Sequence, residues 1–354
     1  MNKKIIFMLY FLMFLLVYIS LNFYVVIRLG GYLGIEKNIL YLLIILINFS
    51  LPISMYMERI FPNILSKIFY TISTFWLGIL LFALCLLLIY EIISLFWTTS
   101  YAGIIIITGI AILSIASAVN ASKITIKEVN IPIKNLKKNI NIVQLSDIHI
   151  GTIRNSNFLK KIIKKTSQLN PDMIIITGDM VDASSRLNKE MFKDFNKFKS
   201  PIYFITGNHE VIENTEKTYS FLEETNIQIL KNEIISFENV QIIGIEFSED
   251  KNHLEEKLKK INIDKSKPSI LIYHSPEGYN EAKKLGINLQ LAGHTHSGQI
   301  FPFNFIVKIK YKYIKGLYDL GNMFLYVSPG TGTWGPYMRL GSKNEITLLK
   351  LIPG

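Results

Sequence analysis

The chain has 354 residues, a hydrophobic content of 50% and a formal net charge of +11 at pH 7. Its mean hydropathy of +0.31 excludes an ordinary soluble protein, and its single cysteine, Cys85, excludes a fold held by intramolecular disulfides. The apolar excess lies almost entirely before residue 120 and the basic excess mostly after it, which predicts a membrane region over residues 1–120 followed by a soluble domain.

The membrane region is predicted to contain four helices, because four apolar runs reach the roughly 20 residues that cross a bilayer. These runs cover residues 5–27, 39–57, 68–95 and 101–119. We expect a kink at Pro52 in the second run, and we interpret Glu91 in the third as an interfacial carboxylate rather than a proton relay. A cleaved signal peptide is the alternative interpretation of the first run, but further spans follow it and a small-residue cleavage site does not.

Basic residues flank the four spans unequally. Lys3 and Lys4 precede the first span and five lysines follow the fourth before residue 139, whereas the opposite loops hold only Arg28 and Lys37. The positive-inside rule therefore predicts a multi-pass cell-membrane protein with both termini and the soluble domain in the cytoplasm. Because Arg28 and Lys37 count against this orientation, extracytoplasmic placement of the domain stays open as the alternative.

The soluble domain is expected over residues 138–354, after a linker at 121–137. Buried strands are predicted at residues 140–145, 173–177, 202–206, 270–273 and 289–292. A helix is predicted at about residues 157–169, with Asn155 or Ser156 as its cap. Strands that alternate with helices are typical of an α/β fold.

Residues of metal-ligating type follow all five predicted strands. They are Asp147, His149, Asp179, Asn208, His209, His274, His294 and His296. Open α/β sheets place their sites at the carboxyl ends of strands, and Gly293 lets the backbone come close to whatever lies there. Of the chain's six histidines only His253, in a segment rich in Lys and Glu, is interpreted as a solvated helix residue. A pair of histidines one residue apart is weak evidence by itself. Together with the other ligand-type residues at equivalent strand ends, the pair predicts a metal site.

In this order the blocks resemble those of the calcineurin-like metallophosphoesterases: Asp147-x-His149, Gly178-Asp179, Gly207-Asn208-His209-Glu210, His274 and Gly293-His294-Thr295-His296. The resemblance covers residue 138 to the end and implies a four-layer αββα sandwich. Ser297-Gly298-Gln299 and residues 326–332 and 339–341 are similar to a bacterial membrane-associated branch of that family, some of whose members are UDP-diacylglucosamine pyrophosphohydrolases.

The resemblance also implies a two-metal site. Asp147, His149 and His296 would hold one ion, Asn208, His274 and His294 the other, and Asp179 would bridge both. His209 would stabilise the charge that develops on the scissile phosphate and protonate the leaving oxygen, so Asp179 and His209 are the expected catalytic residues. Ligands that combine carboxylate, amide oxygen and imidazole favour Mn²⁺, with Fe or Zn²⁺ as alternatives, over Ca²⁺. Asp182, near the site, is interpreted as a turn residue.

The expected function is that of a membrane-anchored phosphohydrolase that cleaves phosphoester or pyrophosphate bonds of a lipid-linked or amphipathic substrate. UDP-2,3-diacylglucosamine represents one such substrate type. The alternatives are a general phosphodiesterase on soluble nucleotides and a non-catalytic, phosphate-binding sensor domain. The expected partners are the lipid bilayer and a phosphate-bearing substrate, both of which suit a basic domain. Nucleic acid is not expected, because the chain has no recognisable groove motif that combines aromatic and basic residues.

A basic and aromatic run follows the last two histidines. Lys308, Lys310 and Lys312 alternate with apolar residues, which predicts an amphipathic strand within residues 307–315. One interpretation is that the lysines are merely solvated. The other is that the run forms a rim through which a lipid-bearing substrate enters, so that replacing the three lysines by Gln would impair cleavage of a lipid more than of a soluble ester.

Overall fold

The structure, a computed structural model, describes residues 3–354 and, within the first helix, the side chains of Met8 and of all residues from Leu12 onward. Residues 1 and 2 of the predicted membrane region lie outside the described residues. By its contacts the chain divides into two units. The first extends to Val119 and includes Gly335–Met338, and the second consists of Asn120–Trp334 and Arg339–Gly354.

The first unit contains four helices: α1 (Lys3–Tyr32), α2 (Lys37–Ile60), α3 (Ile64–Ser94) and α4 (Ala102–Ser122). Each coincides with one of the four predicted runs to within a few residues at either end. All four helices are long and apolar enough to cross a membrane, which confirms this part of the prediction. Pro52 lies inside α2, which is assigned as one helix through it.

Polar side chains connect the helices of this unit. The buried Asn22 in α1 donates a hydrogen bond to Asn48 Oδ1 in α2 (3.1 Å) and accepts one from Trp76 Nε1 in α3 (2.8 Å). Arg28 of α1 and Glu91 of α3 form an ion pair at 2.6 Å. Hydrogen bonds of this kind hold apolar helices together where the hydrophobic effect cannot distinguish a neighbouring helix from lipid.

The second unit contains two six-stranded sheets. The first consists, in spatial order, of β1 (Ile124–Ile133), β12 (Asn344–Pro353), β2 (Ile140–Leu145), β3 (Met173–Thr177), β4 (Ile202–Ile205) and β5 (Ile227–Ile229). The second consists of β10 (Gly316–Asp319), β11 (Phe324–Val327), β9 (Leu289–Ala292), β8 (Ser269–Ile272), β7 (Val240–Gly244) and β6 (Glu233–Phe237). The strands predicted from the sequence are present to within a residue at each end.

Six α-helices belong to this unit: α5 (Ser156–Ser167), α6 (Asn208–Glu213), α7 (Thr215–Leu222), α8 (His253–Leu258), α9 (Tyr279–Lys284) and α10 (Phe303–Lys310). The structure also has three short 3₁₀ helices at Lys189–Met191, Lys193–Lys197 and His296–Gly298. The predicted cap of α5 is confirmed, because the Asn155 side chain accepts a hydrogen bond from the Asn157 backbone N–H at 3.0 Å.

The packing of the sheets confirms the expected four-layer αββα sandwich. One apolar cluster packs α5 on the first sheet, a second lies between the sheets, and a third packs α8 and α9 on the second sheet. In β2, Val143 and Leu145 belong to the first cluster, whereas Ile140 and Ile142 belong to the second. Because both faces of the central strands are buried, their sequences are mostly apolar instead of alternating regularly.

Three sequence interpretations were wrong. The presumed linker at 121–137 contains β1, which pairs in parallel with β12 along its whole length. The run at 307–315 is not a strand, because α10 extends through Lys310 and places apolar residues at helical spacings of three and four. His253 is not a solvated residue but is half-buried at the start of α8, because the helix packs on the second sheet through Leu254 and Leu258.

Candidate metal centre

The residues predicted to bind metal lie beyond the carboxyl ends of strands from both sheets. Strands β2, β3 and β4 of the first sheet lead to Asp147 and His149, to Asp179, and to Asn208 and His209. Strands β8 and β9 of the second sheet lead to His274, and to His294 and His296. The site therefore forms where the edges of the two sheets face each other, so each sheet supplies part of the ligand set.

One group of side chains consists of Asp147, His149 and His296, all of them buried. The Nε2 atoms of His149 and His296 are 3.0 Å apart, and His296 Nε2 is 3.4 Å from Asp147 Oδ1. These three residues are the ones that the resemblance assigns to a single ion.

The second group consists of Asp179, His274 and His294, with Asn208 beside them. His274 Nε2 is 3.2 Å from Asp179 Oδ2, 3.2 Å from Asn208 Oδ1 and 3.1 Å from His294 Nδ1. Asp179 Oδ2 is also 3.9 Å from His149 Nε2 in the first group. Asp179 thus lies between the two groups, as a bridging ligand must.

Both groups fit a divalent cation. Each gathers imidazole nitrogens and side-chain oxygens closely enough that the ligand atoms lie within 4.8 Å of one another. In the first group two imidazole nitrogens face each other without a carbonyl or hydroxyl between them, and His149 Nδ1 has no hydrogen-bond partner among the described residues. Nitrogen and oxygen donors without a thiolate suit Mn²⁺, Fe or Zn²⁺.

Burial and mutual charge set the ionisation of the ligands. Burial lowers the pKa values of His149, His294 and His296, that of His294 to about 3, so all three imidazoles are neutral at pH 7 and have a lone pair for a metal. Burial opposes the charged form of His274 as well, but Asp179 raises the pKa of His274 to about 9. His274 is therefore the one ligand imidazole that is positively charged at pH 7, and a cation at this position would replace its second proton.

The pKa values of the two carboxylates, Asp147 and Asp179, are shifted in opposite directions. Burial raises the pKa of Asp147 to about 6, although His274 opposes this. Burial acts in the same direction on Asp179, but the surrounding imidazoles, His274 first, hold its pKa well below the usual value. Asp179 is therefore fully ionised at pH 7, as a shared ligand requires.

Five of the predicted ligands have a left-handed backbone, which residues other than glycine rarely adopt. Their φ angles are 50° (Asp147), 52° (His149), 50° (Asp179), 70° (His294) and 47° (His296). Such conformations cost about 1–3 kcal/mol each and persist where the surrounding structure over-determines them, typically at functional sites.

Glu210, in the first turn of α6, fixes the loop that carries Asp179. Its carboxylate accepts hydrogen bonds from four backbone N–H groups: those of Gly207 (2.6 Å), Asp179 (2.9 Å), Met180 (2.8 Å) and Val181 (3.1 Å). Glu210 belongs to a motif that is recognisable in the sequence, but no role was predicted for it. A buried acid three residues after a glycine at a helix start is the signal that identifies such a cap.

Hydrogen bonds also fix the loop around Asp147. Its carboxylate accepts from Ser146 Oγ (2.5 Å) and from the His294 backbone N–H (3.0 Å), so strand ends from the two sheets are joined there. A Cβ atom on Gly293 would lie 1.9 Å from Ser146 Oγ and 2.3 Å from Asp147 Oδ2. Only glycine permits this approach, as its place before the two histidines predicts.

His209 lies beside the first group and forms, with His149 and Asp179, a third set of buried side chains whose ligand-type atoms lie within 4.8 Å of one another. Its ring centroid is 4.5 Å from that of His149, and its backbone N–H donates to Asp179 Oδ1 at 2.9 Å. His209 Nδ1 accepts a 3.4 Å hydrogen bond from Ala183 N, which leaves Nε2 as the donor of the ring. Asp182 accepts hydrogen bonds from the Ser184 backbone and hydroxyl, the pattern of a turn residue.

Several residues around the site were not identified from the sequence. Tyr311 Oη is 2.8 Å from His294 Nε2, and the ring of Phe247 lies 5.7 Å from that of His274. Trp334, 56% exposed, has its ring 6.0 Å from that of His209. Tyr311 was assigned to a strand, and an aromatic residue in a loop carries no local signal of its partner.

The fully buried Arg339 lies behind His296 and hydrogen-bonds to the backbone of the loops around the site. It donates to the carbonyl oxygens of Pro329 (2.8 Å), Gly332 (2.6 Å) and His296 (3.3 Å). Burial, followed by the nearby Arg154, lowers the Arg339 pKa to about 9. In the sequence, Arg339 is recognisable only as part of a motif at residues 339–341.

Comparison with known proteins adds to this geometry. Residues 140–298 match the family model described as calcineurin-like phosphoesterase. An uncharacterized metallophosphoesterase of Campylobacter jejuni is 38% identical over 67% of this chain and 66% of its own length. One of Helicobacter pylori is 35% identical over 64% of each chain. A bovine transmembrane protein with a metallophosphoesterase domain is 31% identical over 68% of this chain and 60% of its own length. This chain thus spans 60–66% of the length of these three relatives.

Proposed function

Because the chain belongs to the calcineurin-like phosphoesterase family through residues 140–298, we propose that it is a membrane-anchored, two-metal hydrolase of phosphoester or pyrophosphate bonds. One observation carries the proposal: two groups of buried and half-buried nitrogen and oxygen ligands lie side by side, Asp179 of the second group is 3.9 Å from His149 of the first, and His209 lies beside them. A site that only bound phosphate would need neither the second group nor a separate donor.

The proposed ligands follow the two groups in the structure. Asp147, His149 and His296 would hold one ion, Asn208, His274 and His294 would hold the other, and Asp179 would serve both. The mixture of imidazole, carboxylate and amide oxygen favours Mn²⁺, with Fe or Zn²⁺ as alternatives. When bound, the two ions polarise the phosphoryl group and lower the pKa of the water molecule that attacks it.

The protein's own residues supply positioning and a hydrogen-bond donor. The charged Asp179 is held by its neighbours in one orientation, which fixes the distance between the two groups. His209 Nε2–H donates a hydrogen bond to a phosphoryl oxygen as negative charge develops there and to the leaving oxygen as its bond to phosphorus breaks, and the released oxygen takes its proton from solvent. The Ala183 N–H and the edge of the His149 ring keep the His209 ring in the orientation that these two tasks need.

The proposed substrate is lipid-linked or amphipathic. Two features support this choice: a domain attached to four membrane-type helices meets lipids more often than soluble esters, and its basic charge suits an anionic phosphate. A UDP-2,3-diacylglucosamine type of pyrophosphate is one candidate. We place the domain on the cytoplasmic side of the cell membrane, because the positive-inside rule favours that orientation.

Hydrolysis by the detergent-purified, full-length protein tests this proposal. An aryl phosphodiester and a UDP-linked diacyl lipid serve as the substrates, each assayed with Mn²⁺ and with excess chelator. We expect turnover that requires the metal. We also expect kcat to fall about 10²–10³-fold in His209→Ala, as on removal of a single donor to a developing oxyanion, with the bound metal retained. His253→Ala is the matched control, because His253 lies outside the site, and it should leave kcat unchanged.

The same assay separates the alternatives. A strong preference for the lipid supports the proposed substrate class, whereas equal turnover of both substrates would replace it with a general phosphodiesterase. Turnover that survives the chelator would refute the two-metal mechanism. Absence of turnover on both substrates, with metal bound and inorganic phosphate binding measurable, would assign the domain a sensor role instead.

A further inference from the structure

We propose that an exposed apolar face on helix α10 binds the surface of an anionic lipid bilayer. The α10 face consists of Phe301, Phe305, Ile306 and Ile309. Ile309 is 86% exposed, and Ile306 and Phe305 are 56% and 55% exposed. Soluble surfaces seldom gather large apolar side chains in this way unless the patch meets a partner or a membrane.

The apolar side chains of this face are aligned. Phe305 and Ile309 are four residues apart in α10, which places them on one side of the helix, and Phe301 precedes the helix. The Phe301 and Phe305 rings are in contact, with centroids 5.7 Å apart. No residue of α10 itself is buried, so the helix does not use these side chains to pack on the rest of its unit.

The charge around the α10 face favours a bilayer over another kind of occupant. Residues 300–318 include four lysines and no acidic residue. The lysines are Lys308, Lys310, Lys312 and Lys315, and all four are exposed. Exposed phenylalanine and isoleucine beside exposed lysines is the composition of a helix that lies in the interface of an anionic membrane.

The α10 face is directly connected to the candidate metal centre. Tyr311, the first residue after α10, has its hydroxyl 2.8 Å from His294 Nε2. A Cβ atom on Gly298 would lie 2.3 Å from Asn304 Cα, so the loop after His296 packs on the backbone of α10. A bilayer bound at α10 would therefore lie beside the metal-binding loops. This consequence for the enzyme rests on the proposed function. Membrane binding by α10 does not rest on it.

Fluorescence quenching tests the proposal in the full-length protein. The only native cysteine is removed by Cys85→Ala, Ile309→Cys is labelled with an environment-sensitive fluorophore, and the protein is reconstituted into lipid nanodiscs that contain a spin-labelled lipid. Lys260→Cys, exposed next to α8 on the second sheet, provides the matched control. We expect blue-shifted, strongly quenched emission from position 309 and unshifted emission from position 260.

The lipid composition tests the role of charge. Quenching at position 309 should be stronger in an equimolar mixture of phosphatidylcholine and phosphatidylglycerol than in phosphatidylcholine alone. Replacing Lys308, Lys310 and Lys312 with Gln should lower the ratio of bound to unbound α10 by roughly fivefold per lysine. This readout does not use hydrolysis, so an inactive protein can still bind through α10 and an active protein can fail to do so.

Two results would overturn the proposal. Equal quenching at positions 309 and 260 would mean that α10 stays in water. A blue shift at position 309 that appears in detergent without lipid, and grows with protein concentration, would mean that a second copy of the chain covers this face.

Discussion

Replacing Glu210 with Gln perturbs the metal centre without touching a proposed ligand. In the native protein each carboxylate oxygen of Glu210 accepts two backbone N–H groups: Oε1 those of Met180 and Val181, Oε2 those of Asp179 and Gly207. The glutamine side chain has the same shape but only one accepting oxygen. One pair of buried N–H groups must then face an amide NH₂ that cannot accept.

The structure gives the size of the effect. A buried donor left without its partner costs about 1–3 kcal/mol, so two such donors cost about 2–6 kcal/mol. Asp179 sits in one of these pairs and has a strained φ of 50°, so the variant should loosen the shared ligand first. Since about 1.4 kcal/mol is tenfold in affinity, even the lower bound predicts metal binding weakened by at least about tenfold.

Calorimetric titration of Mn²⁺ into the full-length protein in detergent measures this loss. The titration is best done at about pH 8, because burial raises the Glu210 pKa to about 7 and the native side chain must be ionised. Glu216→Gln, the same substitution at an exposed position on the neighbouring helix, is the control and should bind Mn²⁺ normally. If Glu210→Gln binds Mn²⁺ as tightly as the native protein, the four hydrogen bonds do not hold the site and the reasoning fails.

Three further predictions follow from the geometry. Tyr311→Phe removes the 2.8 Å hydrogen bond to His294 and should weaken binding of the second Mn²⁺ about 10–100-fold in the same titration, whereas Tyr313→Phe should not. Gly293→Ala places a Cβ atom 1.9 Å from the nearest side-chain oxygen, so metal analysis should find the site unable to retain ions; normal metal content would contradict the close approach. Burial, and next the charge of Lys257, lowers the His253 pKa below 6.5 in the folded protein. Below about pH 6.5 the unfolded chain therefore binds a proton at His253 more readily than the folded chain does, and stability falls. On acidification from about pH 7.5 to about pH 5.5, Tm should therefore fall less in His253→Gln than in the native protein, and an equal fall would refute this.

The sequence predicted the strand ends well because both faces of the central strands are buried. Burial on both faces makes strands such as Met173–Thr177 apolar up to their last residue, so the end of the strand can be recognised in the sequence. Asp179 and His274, almost a hundred residues apart, converge because their strands end at facing edges of the two sheets. The ligand set could therefore be anticipated from local patterns together with one rule about strand ends.

Other features depend on contacts that a local pattern does not contain. In β1 only Ile131 and Ile133 are buried, and the strand pairs with β12 at the opposite end of the domain's sequence, so by itself it resembled a linker. Lysines at every second position resembled a strand, but Phe305 and Ile309 also fit a helix and the packed structure selected the helix. Tyr311 became a partner of His294 only through that helix. Phe247 lies in a loop, and its position near the site follows from the fold alone.

The number of metal ions bound per chain tests the central claim most directly. The full-length protein is loaded with Mn²⁺, desalted and analysed by mass spectrometry of the metal, beside Asp179→Ala prepared in the same way. A two-metal centre that shares Asp179 predicts about two ions in the native chain and fewer than one in the variant. A single ion in the native protein, or unchanged occupancy in Asp179→Ala, would contradict it.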